Sequence, residues 1–270
     1  MKSSRSDAAL PPELADAFDR AGDRLGPFAG RICYFAEIGS TNDVAAALAP
    51  EPESFGTVII ADAQTAGRGR RGRTWFSPPA SGLYVSVIVA PSRGAADPER
   101  ATTLLTLATG VALAEGVERA SGLSPAIKWP NDLLVGRRKL AGILAEAYGD
   151  SVVLGYGINI GPMAYPPELR DRATSLETEL GRAIDRGVVA AETLSALAAR
   201  YADLVAGRFD AILDAWRRRA PSHRGARVVW DTPAGPQSGI TDGIDDRGGL
   251  LVRVAADRVE RIVAGEVRWI

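Results

Sequence analysis

Lys139-Leu-Ala-Gly-Ile-Leu-Ala-Glu146, followed by Val152-Val-Leu-Gly-Tyr-Gly-Ile-Asn-Ile160, is the stretch on which the fold turns. Both runs are apolar, with β-branched residues concentrated in the second, and they meet around Gly149-Asp150, so they read as two strands joined like a hairpin. Glycines inside such strands leave the backbone open to close approach by a ligand or by another segment of chain. The plain alternative for Gly155-Tyr-Gly-Ile-Asn159 is a strand merely weakened by glycine; the functional one is a sheet surface opened for a flat ligand.

Working outward, Arg31-Ile-Cys-Tyr-Phe-Ala36 is a further candidate strand. Ser40-Thr-Asn-Asp-Val-Ala-Ala-Ala-Leu48 follows as an alanine-rich helix that Ser40 or Thr41 can cap, with Asp43 in its first turn. Thr57-Val-Ile-Ile-Ala61 and Leu83-Tyr-Val-Ser-Val-Ile-Val-Ala90 read as strands through their β-branched content. Asp97 then Pro98 make a good helix start, and Leu104, Leu105, Ala108, Val111, Ala112 and Leu113 recur at helical spacing, which predicts a helix covering a sheet. Helical spacing returns from about 188 to 217, and Pro221 to Gly225 break it. Beyond that boundary, Arg227–Trp230, Gly249–Val254 and Arg258–Val263 are short alternating strands between Gly- and Asp-rich turns, the pattern of a small β-barrel. The expected organisation is a mobile segment over residues 1–30 with room for one short helix at its end, an α+β domain over 31–220 and a small β-domain over 221–270.

With 270 residues, 46% hydrophobic and 24% charged, the chain has the composition of an ordinary globular protein and enough length for a large domain plus a small one. A formal net charge of -1 means that a basic cluster must act as a local site and not as part of a nucleic-acid-seeking surface. The single cysteine, Cys33, excludes an intrachain disulfide and a multi-cysteine metal site, and suits a reducing compartment. His223 is the only histidine, which leaves little material for a Ser-His-Asp triad or a histidine-built zinc site. The charged amino terminus lacks the apolar core of a secretory signal, and no apolar run approaches the roughly 20 residues that span a bilayer, so the expected location is the cytoplasm with no membrane contact. Chemistry must come from lysine, arginine, carboxylates and backbone amides.

Those groups are concentrated. In Gln64-Thr-Ala-Gly-Arg-Gly-Arg-Arg-Gly-Arg73, three glycines and four arginines fill the seven positions from Gly67 to Arg73. Glycine lets a backbone approach a ligand and arginine supplies fixed charge for phosphate or carboxylate, so the run describes an anion clamp. A solvated basic turn is the ordinary alternative, but Trp75 and Phe76 follow at once and can stack on a planar base, while the Gly-Lys-Ser/Thr ending of a Walker phosphate loop is missing. Lys128-Trp-Pro-Asn-Asp132 places a lysine at a strand end beside a proline, an amide and a carboxylate, as an ordinary turn does, or as a point charge for an anion does.

Taken in order, Ser40-Thr-Asn42, Gly67–Arg73, Lys128–Asp132, Lys139–Leu144 and Gly157-Ile-Asn159 closely resemble the signature segments of biotin–protein ligases. The likeness runs from about residue 31 to the end, where Gly239 to Asp245 and Gly265-Glu-Val267 resemble that family's small carboxy-terminal domain. It implies a class II synthetase-like mixed sheet with helices followed by an SH3-like β-barrel. It also implies a cytoplasmic ligase that activates biotin with ATP and magnesium to biotinyl-5'-AMP and transfers biotin to a lysine of a biotin carboxyl carrier protein of acetyl-CoA carboxylase or another biotin-dependent carboxylase. By the same likeness, Ser40, Thr41, Asn42, Gln64, Arg68, Gly69, Arg70 and Lys128 line the biotin pocket. Arg70, Arg73, Trp75, Asn131 and Asn159 lie near the nucleotide, and Lys128 and Arg70 are the catalytic pair. No residue is identified as a metal ligand, and the base for the acceptor lysine is open, with Asp132 a minor candidate. Family members that also repress transcription carry an amino-terminal helix-turn-helix domain; this chain begins too close to the catalytic segments for one, so no DNA partner is expected. The sheet edges are compatible with a monomer or a homodimer. The rivals are a lipoate–protein ligase and a non-enzymatic nucleic-acid-binding module using the arginines and Trp75.

Overall fold

The computed structural model describes residues 8–163 and 165–270. Seven strands form the larger sheet: β1 (Ile32–Ile38), β2 (Val58–Gln64), β3 (Gly82–Val89), β4 (Ala126–Lys128), β5 (Asp132–Val135), β6 (Arg138–Tyr148) and β7 (Ser151–Asn159). Their order is β1-β2-β3-β7-β6-β5-β4. Only β1 and β2 run parallel; every other pair is antiparallel, so the sheet is mixed as expected. The hairpin around Gly149-Asp150 is present, with Ser151 opposite Tyr148 and Gly157 opposite Gly142.

One face of the sheet is covered by α3 (Pro98–Ser121), α5 (Arg186–Val205) and α6 (Phe209–Arg219). Asp97 caps α3 by accepting from the amide of Arg100 at 3.0 Å, the role its place before Pro98 foretells. Leu104, Leu105, Val111 and Leu113 are all buried, each worth about 1.5–3 kcal/mol of burial. A β-carbon on Gly116 would stand 2.5 Å from Thr193 Cα, so that glycine lets α3 and α5 cross at short range. The helical spacing over 188–217 resolves into two helices, because Gly207 takes φ 72° between them and ends the first. A short α4 (Leu176–Leu180) precedes them.

The short helix expected within residues 1–30 is present and packed, which a wholly mobile segment would not be. Residues 1–7 lie outside the described residues, but Pro12–Ala21 forms α1, whose Leu14, Ala17, Phe18 and Ala21 are buried against α5. Leu25 and Phe28 continue that contact. The apolar residues of α1 recur on one side, and that stripe stabilises more than the prolines and glycines around it cost.

The opposite face of the sheet carries only α2 (Thr41–Leu48), whose Ala45 packs on Ile59, Ile88 and Val153. This face is left open beside α2, and the site lies there. After α6 the chain forms a second sheet from β8 (Arg224–Thr232), β9 (Gly235–Ile244), β10 (Leu250–Ala255), β11 (Arg258–Ile262) and β12 (Val267–Trp269), antiparallel in the order β11-β10-β9-β8-β12. It docks on the first: Gly248 accepts from Trp129 Nε1 at 3.0 Å and Arg100 Nε donates to Asp246 O at 2.9 Å. Among the described residues no helix is long and apolar enough to cross a membrane.

Candidate functional site

Gly142, Gly155 and Gly157 leave a bare patch in the middle of the open face, and side chains from elsewhere rest on it. Asn42 lies over Gly155, where a β-carbon would overlap its Oδ1, and Trp75 lies over Gly157 in the same way. Trp75 also reaches Gly142, as does the Lys139 ammonium, 3.0 Å from where a β-carbon would sit. The glycine-weakened strand thus proves to be a floor for other groups.

Around this floor runs a cleft lined by Ser40, Thr41, Asn42, Gln64, Arg68, Gly69, Arg70, Trp75 and Asn131 among the candidates from the sequence. Ser40 stands at the N-cap position of α2 but its side chain makes no capping bond, so the expected cap is not formed and the hydroxyl stays at the cleft. Its neighbours are held firmly. Gln64 Oε1 accepts from the Thr41 amide at 2.9 Å, and Gln64 Nε2 donates to Ser77 Oγ at 2.9 Å. Ser86 Oγ, buried on β3, lies 2.6 Å from Asn42 Oδ1 and 2.8 Å from Thr41 Oγ1. A hydroxyl has one proton and Asn42 Oδ1 can only accept, so Ser86 donates to Asn42, while Thr41 Oγ1 shares its own proton between Ser86 and Gln64 Oε1, 3.2 Å away.

The glycine-arginine loop is tied down at both ends. Arg68 bridges Asp43 on α2, at 2.8 Å, and Glu146 on β6. Glu146 also accepts from Asn42 Nδ2 at 2.9 Å. Arg70 donates to Asn131 Oδ1 at 2.9 Å and to the Gly265 carbonyl at 3.3 Å; its burial lowers its pKa, with Asp132 working the other way. Arg71 adopts φ 59°, a conformation that a long side chain rarely takes. Trp75 Nε1 is buried and has no partner among the described residues, an unusual state for an indole N–H.

Three candidates stand outside the lining. Lys128 ends β4 half-buried, with its ammonium 5.3 Å from the centre of the Trp269 ring. Burial pushes its pKa down, opposed by Asp132 and Glu266 and assisted by Lys139 and Arg172. Arg73 turns to the second sheet and pairs with Glu266, whose carboxyl it holds below the usual range. Asn159, two residues beyond Gly157 on β7, donates its Nδ2 to Thr174 O at 2.8 Å and ties the end of the strand to the loop before α4.

Sequence reasoning did not single out four side chains found here. Lys139 lines the cleft, pairs with Asp132 at 2.6 Å and lies 5.2 Å from the Trp75 ring centre. Ser86 and Glu146 complete the network under Asn42, and Glu266 holds Arg73. Ser86 had a signal, a lone hydroxyl within an apolar strand; Glu146 and Glu266 had none beyond their charge. Among the described residues no group of three or more His, Cys, Asp or Glu could hold a metal ion.

The chain matches the family described as Biotin/lipoate A/B protein ligase over residues 34–162. It is 34% identical over 264 residues to the bifunctional ligase/repressor BirA of Bacillus subtilis, covering 95% of this chain and 79% of that one. To the biotin--[acetyl-CoA-carboxylase] ligase of Mycobacterium tuberculosis it is 39% identical over 238 residues, 86% of each. Among solved structures it is similar to biotin protein ligase from Aquifex aeolicus in complex with biotin and ATP, with a TM-score of 0.77, 28% identity, and coverage of 89% of this chain and 99% of that one.

Proposed function

The chain belongs to the biotin/lipoate A/B protein ligase family, and from that premise we propose that it activates biotin with ATP and transfers it to a lysine of a carrier protein. The observation that carries the reading is convergence: Ser40 to Asn42, Gln64, the glycine-arginine loop and Asn131 come from separate segments to one cleft over a floor of glycines. The cleft sets polar side chains beside Trp75, Ile143 and Leu144, which suits biotin, whose ureido ring needs hydrogen-bond partners; Ser40, Thr41 and Gln64 supply them.

In the first step an oxygen of the biotin carboxylate attacks the α-phosphorus of ATP, and the bond to the β-phosphate breaks as pyrophosphate leaves. Two anions must be brought together, and the charge on the departing group must be met by fixed cations. Lys128 bridges the carboxylate and the α-phosphate, and Arg70 holds the adenylate. A neighbouring cleft of about 400 Å³, bordered by Arg70, Arg71, Arg247 and Arg261, offers room and charge for the phosphates. Magnesium, when bound, would be held through the substrate's phosphate oxygens and would offset charge on the departing pyrophosphate. Arg73, Trp75 and Asn131 lie toward the nucleotide. Asn159, whose Nδ2 is bonded to Thr174 O, is assigned to the nucleotide side with them.

In the second step the acceptor lysine, having lost a proton, attacks the activated carbonyl and AMP leaves. Asp132, the minor candidate for base, is engaged by Lys139. The lid-like loop keeps water from the mixed anhydride meanwhile. The names of the Mycobacterium tuberculosis and Paracoccus denitrificans relatives support the biotin carrier of an acetyl-CoA carboxylase as acceptor. The test is incubation with ATP, biotin and a recombinant apo-carrier domain, read by intact mass. A gain of one biotin, lost when the carrier's target lysine is replaced by arginine, supports transfer; an unmodified carrier in the presence of adenylate overturns this acceptor.

A further inference from the structure

The second sheet holds the Lys128–Asn131 segment at successive points. Trp129 donates to Gly248, and Asn131 is bonded by Arg70, which also bonds Gly265. Lys128 is met by the last strand, through Trp269. Trp269 is itself located from behind: it pairs with Val228 across β8 and shares an enclosed space with Ile127, Trp129 and Val267.

We propose that Trp269 is a positioning residue for Lys128, its ring face holding the ammonium in place. The inference deepens the function given above and rests on its assignment of Lys128 to the biotin carboxylate and α-phosphate. A ring face attracts an ammonium electrostatically, and more strongly where water is excluded. Lysine has a flexible four-carbon stem and no fork of donors to fix its direction, so an external guide matters more than it does for arginine. The chain has only three lysines, Lys2, Lys128 and Lys139, and two of them are at this site. The other charged groups facing Lys128 are Asp132 on β5, Glu266 before β12, Lys139 on β6 and Arg172 in the loop before α4.

The test uses the full chain with Trp269→Leu, Trp269→Met and Trp269→Phe. Biotin-dependent ATP–pyrophosphate exchange reads chemistry; amine labelling across a pH series, read by mass spectrometry at Lys128 and Lys139, reads the ammonium itself. Loss of the ring removes a group that favours the charged amine, so labelling of Lys128 moves to lower pH in the Leu and Met variants while Lys139 is unmoved. Exchange kcat falls about tenfold, about 1.4 kcal/mol, with biotin KM changing less, and Trp269→Phe restores both. Met fills the space if Leu disturbs packing, and normal Lys139 labelling certifies the fold. If both readouts match the parent in Leu and Met variants, the inference is overturned. Lys128→Ala separates the two claims: persistence of exchange in that variant removes the catalytic role of Lys128, whereas the labelling profile still judges the contact.

Discussion

The indole of Trp75 rests on Gly157 so closely that a β-carbon at position 157 would overlap its Nε1. The same ring spans to Gly142 on the neighbouring strand, and its N–H has no partner among the described residues. A ring held on a bare floor by packing and the nearby Lys139 ammonium can be moved when a ligand offers better contacts.

Gly157→Ala is therefore expected to lift Trp75 off the sheet. Biotin or ATP affinity, measured by calorimetry, should fall about tenfold or more, while overpacking costs about 1–3 kcal/mol of stability in a denaturant titration. Unchanged affinity with unchanged tryptophan fluorescence would mean that the floor does not shape the cleft.

Ser86→Ala removes the proton that Asn42 Oδ1 accepts in a fully buried place. We expect a loss of about 1–3 kcal/mol of stability and a weaker KM for biotin with kcat less affected, because Asn42 and Thr41 lose their common anchor. Steady-state kinetics beside thermal unfolding checks the split; a kcat loss without a KM change would remove Ser86 from ground-state binding.

Arg70→Gly deletes the bonds to Asn131 and Gly265 that hold the loop closed on the second sheet. Free biotinyl-adenylate should then escape and label bystander amines, measured as biotin incorporated into an unrelated protein. Retention of the intermediate as tight as the parent's would end the shielding role.

Burial lowers the pKa of Lys128, so its ammonium is lost at a lower pH than an ordinary lysine's about 10.4. Exchange should fall on the alkaline side as pH rises through that lowered value, and the fall should disappear in Lys128→Arg, whose guanidinium stays charged, though at a lower maximal rate. A parent profile flat to the ordinary lysine range would show that the reaction does not need this charge.

What the sequence made legible was what is local in the chain. The Gly149-Asp150 hairpin, the Asp97 cap and the Gly67–Arg73 loop each announce themselves within a dozen residues, and all stand where that reading puts them. Contacts made across the fold were hidden: Glu146 under Arg68, Glu266 against Arg73 and Trp269 beside Lys128 are more than fifty positions from their partners, and charge or aromaticity alone does not say whom a residue meets. The start of the chain was legible only in part for a related reason. Pro11-Pro12 and the glycines near them read as a mobile lead with room for one short helix, but Leu14 and Phe18 find α5 more than one hundred and fifty residues later.

The most direct test of the central claim is ATP–pyrophosphate exchange by the purified chain with biotin or lipoate as the added acid. Magnesium-dependent exchange with biotin is expected, absent in Lys128→Ala and weak with lipoate. Exchange with lipoate alone, or with neither acid, would contradict that claim.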